Sequence, residues 1–333
     1  MKKILLIATG GTIASGYTEE GLSPQIPARQ LLSFVSGYEA FCMVDVVQPF
    51  SLDSTDVYSA HWMALTETIR DHYADYDGFV ICHGTDTMAY TAAALSYMIQ
   101  NSRKPIVVTG AQKPIDLPVT DARTNLADSL RFAAHDKAHG VNIVFGGMVI
   151  AGTRAKKERT KSYNAFSSIN YPAIAAIIDG KIVFYIDDKE KIKEETVFYS
   201  AMNDKIFLLK LMPGMDASIL SYVFEHYDGV IIESYGGGGL PGYGATPFYS
   251  EIKRWTEAGK VIVMATQVTH EGSDLGIYRV GKVMKEDFRL TEAHDMTLEA
   301  TVTKTMWALA QVKEPERFRQ LLYRTINHDI LTI

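Results

Sequence analysis

Gly78-Phe79-Val80-Ile81-Cys82-His83-Gly84-Thr85-Asp86-Thr87-Met88-Ala89-Tyr90 is the stretch that decides the fold. Its first half is an unbroken apolar run, the pattern of a strand covered on both faces, as in parallel sheets. Gly84 marks a turn. Beyond it Met88, Ala92, Leu95 and Ile99 recur at helical spacing, which predicts one apolar helix face. Thr85 and Asp86 therefore fall where a strand's carboxyl end meets a helix amino terminus, the edge at which open α/β sheets bind ligands. Free N–H groups of a first helical turn favour an anion there. A hydroxyl beside a carboxylate suits substrate binding or activation of a nucleophile; it equally suits capping of the helix.

The same pattern repeats on either side. Lys3 to Thr9 reads as a first strand, followed by Gly10-Gly11-Thr12-Ile13-Ala14-Ser15-Gly16. Two glycines after a strand permit positive φ or a close backbone approach. The spacing does not match a dinucleotide loop, which needs G-x-G-x-x-G opening a helix. Gly16 to Pro27 reads as a surface loop or lid. Phe41 to Val47 is a strand ending in Asp53-Ser54-Thr55-Asp56, before a helix on which Tyr58, Trp62, Leu65 and Ile69 share a face. One cap is needed there; four candidates suggest ligand contacts as well.

Pro105 to Thr109 is a strand leading to Gly110-Ala111-Gln112, and Asp121 reads as a cap or as a partner of Arg123. Val141 to Ile150 reads as one apolar strand. It opens directly into Gly152-Thr153-Arg154-Ala155-Lys156-Lys157-Glu158-Arg159, the most basic run of the chain. Such a run is ordinarily a solvated face, but a lysine following a buried strand can point into the site as a general base. The charged stretch after Lys181 lacks a core pattern. It places an interdomain linker at 191–204, between an N-terminal catalytic α/β domain at 1–190 and a C-terminal α/β domain at 205–333. In the second domain, strand–helix alternation resumes. Gly236 to Gly239 reads as a mobile loop or as tight packing at an interface, since no Gly-Lys-Ser/Thr follows for a phosphate loop.

Length and composition agree with this division. A chain of 333 residues exceeds what one core ordinarily serves. With 47% hydrophobic and 22% charged residues it is an ordinary globular sequence. A net charge of −6 without a long basic block argues against nucleic acid as partner. No stretch approaches the roughly 18 apolar residues of a membrane span, and the apolar run after Lys3 is too short for a signal peptide. Cys42 and Cys82 lie in apolar runs, which reads as reduced, buried thiols in a cytoplasmic protein. No histidine or cysteine spacing calls for a metal, and no cofactor is expected.

Taken together, Thr9-Gly10-Gly11-Thr12-Ile13-Ala14-Ser15 and His83-Gly84-Thr85-Asp86-Thr87-Met88 resemble the two signatures of the bacterial-type L-asparaginases, the asparaginase/glutaminase family. Val108-Thr109-Gly110-Ala111-Gln112, the Gly152–Lys157 segment with Phe166, Ser234-Tyr235-Gly236 and Asp295-Met296-Thr297-Leu298-Glu299-Ala300 extend the resemblance along the whole chain, which looks like the cytoplasmic type I branch. The resemblance implies a flavodoxin-like N-terminal domain with a parallel sheet, a smaller α/β C-terminal domain, and a homodimer or a homotetramer built as a dimer of dimers. It implies hydrolysis of L-asparagine to L-aspartate and ammonia. By motif, Thr12 matches the nucleophile, and Thr85, Asp86 and Lys157 match the group that activates or positions water. Asp53, Ser54, Thr55 and Ala111 match the substrate-binding segment, with Thr85 and Asp86 contributing. Lys157 is placed by counting back from Phe166, with Lys156 as the neighbouring possibility. Leu22 stands where many relatives carry a mobile-loop tyrosine, for which Tyr17 is a candidate substitute. Gly239 stands where many carry an asparagine. The same motifs occur in an archaeal Glu-tRNA amidotransferase component, its D chain, which has an added N-terminal domain where this chain starts at its first strand. A non-catalytic amino-acid sensor on the same fold is the remaining alternative.

Overall fold

The computed structural model describes all residues except 19, 20, 25, 245, 246, 278–289, 332 and 333, and the side chains except also those of 17, 18, 21–24 and 277. The chain divides into two compact units, Met1–Ser200 and Ala201–Ile333.

In the first unit the strands, in chain order, are β1 (Lys2–Ala8), β2 (Ser15–Thr18), β3 (Gly21–Pro24), β4 (Cys42–Val47), β5 (Gly78–Cys82), β6 (Ile99–Gln100), β7 (Pro105–Thr109), β8 (Gly140–Phe145), β9 (Met148–Ala151), β10 (Ala155–Lys157), β11 (Phe166–Ser168), β12 (Ala175–Ile178), β13 (Lys181–Phe184) and β14 (Val197–Phe198). Eight of them form one sheet in the order β13-β12-β9-β8-β7-β5-β1-β4. The pairs from β4 to β8 are parallel, and those from β8 to β13 are antiparallel. Numbered along the chain, the five parallel strands lie in the order 2-1-3-4-5, the flavodoxin-like arrangement. That order reverses between β1 and β5, so the ligand crevice of such a sheet opens at their carboxyl ends.

The apolar run before Gly84 is β5, buried at every position. The helix after it, α3 (Met88–Met98), has every residue but Tyr90 buried. The expected single apolar face is thus a helix enclosed nearly all round, and Ile99 has already left it for β6. The preceding helix, α2 (Ser59–His72), which follows the short α1 (Ala28–Leu31), buries Trp62, Leu65 and Ile69 as expected; Tyr58 sits at its N-cap and is exposed. Two further expectations are corrected. Gly16 to Pro27 contains the antiparallel hairpin of β2 and β3, because Ser15 to Thr18 pairs with Gly21 to Pro24. Val141 to Ile150 is two antiparallel strands, since Gly146 and Gly147 both take positive φ and turn the chain between β8 and β9. Val197-Phe198 pairs with Ile99-Gln100, so the region read as linker is still hydrogen-bonded to the first unit at that point.

The second unit carries a four-stranded parallel sheet, β15 (Ile206–Lys210), β16 (Gly229–Ser234), β17 (Val261–Thr266) and β18 (Thr291–Glu292), in sequence order. Its core gathers Leu220, Val223, Phe224, Phe248 and Ile252 from two helices over Val230, Ile232, Ile262 and Met264. The glycine run after β16 is pinned. Tyr235 and Gly239 exchange backbone hydrogen bonds, Asp274 N donates to Gly237 O, and Thr266 Oγ1 donates to Gly236 O. Those bonds leave no support for reading it as a mobile loop.

Candidate active site

The parallel register sets the site. Ala8 pairs with Cys82, and Thr9 donates through both N and Oγ1 to Cys82 O. The next residues of both strands therefore meet. Gly10 and Gly11 have φ of 99° and 74°, and both are pressed against backbone. A Cβ on Gly10 would lie 2.5 Å from Leu52 O, and one on Gly11 would lie 2.3 Å from Gly84 N. Real Cβ atoms do not approach that closely, so glycine is required at each position. Gly11 N donates to Leu52 O and Leu52 N to Thr9 O, which seats the polar cluster after β4 beside the same loop. Thr12 then opens a short 3-10 turn, half-buried, one peptide from the Gly11–Gly84 contact.

Across that contact, Ser54 is buried and packs on Gly84: a Cβ there would lie 2.6 Å from Ser54 Oγ. Thr87 Oγ1 donates to Ser54 O at 2.7 Å. Asp53 caps the short 3-10 turn Ser54–Asp56 and not α2, whose N-cap is Tyr58; its Oδ1 accepts from Thr55 N and Thr55 Oγ1, both at 2.9 Å. Three of the four polar groups thus resolve into a cap for that turn, a buried hydroxyl against Gly84 and a hydroxyl held by the cap; the fourth, Asp56, is exposed at the end of the turn. Ala111 is fully buried at the end of β7, next to the close approach of Gly110 to His83 O.

The basic run supplies the remaining group. β10 and β11 form a two-stranded ribbon in which Lys157 faces Phe166. Lys157 Nζ donates to Thr85 Oγ1 at 2.8 Å and to Asp86 Oδ1 at 2.5 Å. The Lys157 side chain is 16% exposed and that of Asp86 60%, so the pair stands at the open rim with its lysine recessed. Lys156 makes no such contact among the described residues. Thr12, Ser54, Thr85, Asp86 and Lys157 are thus drawn to one strand edge, whereas Asp53 and Thr55 are exposed and engaged with each other.

Three supporting groups lie outside the candidate set that the sequence supplies. Asp121, open between cap and Arg123 partner, is the N-cap residue of the helix starting at Ala122, but its side chain makes no cap bond: its carboxylate accepts from Gln112 N, Lys113 N and Asn125 Nδ2, while Arg123 donates to Ile115 O and Leu117 O. It shapes the turn after β7 as a local acceptor for adjacent backbone donors. His83 is buried with Nδ1 2.7 Å from Gly84 O and Nε2 3.0 Å from Thr91 Oγ1, which also accepts from Trp62 Nε1. A carbonyl accepts only, so Nδ1 carries a proton. Burial pushes the His83 pKa down to about 4. Gln112 is the third, with its carboxamide facing Thr85. The sequence signal for all three is the same: polar residues beside otherwise apolar strand ends and helix starts.

A family model described as asparaginase, N-terminal, matches residues 3–190, and one described as glutaminase/asparaginase C-terminal domain matches residues 205–322. The chain belongs to the asparaginase family. Among relatives of this family, an L-asparaginase of Thermococcus kodakarensis is 36% identical over 98% of this chain and 99% of its own. L-asparaginase 1 of Escherichia coli is 30% identical over 99% and 98%. The D component of the glutamyl-tRNA(Gln) amidotransferase of Pyrococcus furiosus is 33% identical over 96% of this chain and 74% of its own. Of solved asparaginase structures, that of the thermostable L-asparaginase from Thermococcus kodakarensis superposes with a TM-score of 0.91 at 34% identity, covering 99% of this chain and all of that one. That of L-asparaginase I from Vibrio cholerae gives 0.87 at 26%, covering 99% of each. The chain is an enzyme of this family, and its two α/β units are the family's two domains. Among the described residues no helix is long and apolar enough to cross a membrane.

Proposed function

We propose that the chain hydrolyses L-asparagine to L-aspartate and ammonia, with Thr12 as nucleophile. The observation that carries this reading is Lys157 Nζ bridging Thr85 Oγ1 and Asp86 Oδ1, beside a strand end that presents a second threonine on a glycine turn. In the first step Thr12 Oγ attacks the side-chain amide carbon as its proton passes to a base; ammonia leaves with a proton, and an aspartyl ester remains. In the second, water held by Thr85 and Lys157 attacks the ester carbon, and Thr12 recovers its proton. The developing oxyanion needs backbone donors. Gly11 N is committed to Leu52 O, which leaves the N–H groups of Thr12 and Ala111 for that role. Asp86 accepts from the substrate ammonium, and Ser54 with nearby N–H groups receives its carboxylate. Thr55 and Asp53 contribute once their mutual bond opens. The reading needs no cofactor or metal, and among the described residues no group of three His, Cys, Asp or Glu is placed to hold one.

We place the enzyme in the cytoplasm as a homodimer or a dimer of dimers, from the family pattern and the two buried free thiols. The test is ammonia release from free L-asparagine and L-glutamine by the purified chain. Release without tRNA or a second protein supports the stand-alone enzyme. A requirement for tRNA and a partner supports the amidotransferase reading, which the similarity to the Pyrococcus furiosus amidotransferase favours.

A further inference from the structure

The Gln112 carboxamide makes three contacts that join two parts of the site. Its Nε2 donates to Arg159 O at 3.2 Å and Ser162 O at 3.1 Å. Both are carbonyls, so the amide orientation is fixed: nitrogen toward the loop between β10 and β11, oxygen toward Thr85. Gln112 Oε1 stands 3.4 Å from Thr85 Oγ1, long for an O–H···O bond, as catalytic hydrogen bonds often are before a ligand binds.

Thr85 Oγ1 has one proton to give. On its other side stands Lys157 Nζ, at 2.8 Å. A lysine ammonium only donates, so it takes a lone pair of Thr85 and leaves the hydroxyl proton to Gln112. The hydroxyl rotor is thereby set, with its proton on Gln112 and its lone pair on Lys157. Gln112 itself is placed by its own backbone, whose N–H donates to the buried Asp121 carboxylate. The loop it grips follows directly on the strand that carries Lys157. One amide thus aims the Thr85 hydroxyl and ties down the loop behind the lysine.

We infer that Gln112 is a positioning residue of this site: it takes the Thr85 hydroxyl proton, so that a lone pair of Thr85 faces Lys157, and it anchors the 158–165 loop. The inference rests on the proposed hydrolysis, which it deepens. It predicts a split between two variants. Gln112→Met keeps length but loses every polar contact. Gln112→Glu keeps an acceptor for Thr85, loses both donors to the loop, and adds a negative charge beside Lys157 and Asp86.

The experiment is steady-state hydrolysis of L-asparagine across pH by wild type and both variants, with hydrogen exchange of residues 158–165 in the ligand-free proteins. Gln112→Met should lose about tenfold or more in kcat with KM within threefold, and its 158–165 amides should exchange faster. Gln112→Glu should exchange as fast in the loop, recover part of the kcat lost by Gln112→Met, and show a displaced pH profile. Unchanged kcat with faster exchange makes Gln112 a loop tie alone and overturns the inference. So does unchanged exchange in both variants. A wild-type enzyme inactive on asparagine sinks the proposed hydrolysis instead, and the exchange comparison then judges Gln112 without it.

Discussion

Gly11 and Gly84 touch through their backbones: a methyl group on Gly11 would sit 2.3 Å from Gly84 N and 2.4 Å from Gly84 Cα. This contact seats the turn bearing Thr12 against the turn bearing Thr85 and Asp86. Gly11→Ala meets that clash and a φ of 74°. It should cost about 2–5 kcal/mol, the sum of left-handed strain and overpacking. Gly37→Ala is the control, with a φ of 82° and open space around it, and should cost about 1–2 kcal/mol from strain alone. Urea unfolding of the two variants measures the difference; equal costs would mean the contact is soft.

The position of Lys157 between Thr85 and Asp86 is the ground for its proposed acid–base role. Lys157→Met should lower kcat by about 10²-fold or more, the scale of a lost acid–base partner. Lys156→Met, on the other side of the β10 ribbon, should change kcat less than about threefold, since that lysine is no acid–base partner of the cluster. Steady-state kinetics on asparagine decides, and a reversal of the two effects would move the catalytic role one residue along the chain.

Assignment of the nucleophile follows from trapping. Thr12→Ala should abolish turnover while product binding survives, and should form no covalent adduct. Thr85→Ala should lose most activity yet accumulate an aspartyl ester on Thr12, because attack precedes the water step. Rapid quench, intact-mass measurement and peptide mapping separate the two; an adduct on Thr85 reverses the roles.

Burial of a neutral His83 ties stability to pH. Its pKa falls from 6.5 in the unfolded chain to about 4 in the fold, so between those values the unfolded state binds more protons and stability rises with pH. The contribution is fully present above 6.5 and lost as pH falls toward 4, on the order of 3 kcal/mol. Asp128 acts oppositely. Desolvation raises its pKa from 3.8 to about 6 against the pull of Arg131, so it opposes folding as pH rises through that range. Asp128→Asn should therefore steepen the gain in stability between about pH 4 and the ordinary histidine pKa of about 6.5. Urea midpoints at half-unit pH intervals measure it; an unchanged slope would dispose of the Asp128 contribution.

How much of this is legible in the sequence differs by element. β5, its turn and α3 are readable because a fully apolar strand and a glycine leave few alternatives. The β8–β9 hairpin is not, because both strands are buried and the two glycines of its turn interrupt no hydrophobic pattern. The β2–β3 hairpin escapes for the opposite reason: its polar residues carry no alternation of apolar character. Thr12, Thr85 and Lys157 are found by type and position. The roles of Gln112 and Asp121 stay hidden because most of their partners are backbone atoms, which composition does not reveal. Tyr17 and Leu22, raised for the place of the mobile-loop tyrosine, have side chains outside the described residues.

The antiparallel end of the large sheet bears on how the protein comes to exist. β8 with β9 and β12 with β13 close over turns of two residues, at small entropic cost, whereas β1 waits for strands about 40 and about 75 positions later in the chain. On the ribosome the hairpins therefore have the means to form as soon as they emerge, and the parallel pairs do not. The reactive cluster draws on residues from Thr9 to Phe166, so nascent chains that end before Lys157 carry the proposed nucleophile Thr12 without the lysine of the cluster. Arrested chains released at increasing lengths should acquire activity late and abruptly, well after protease-resistant structure first appears.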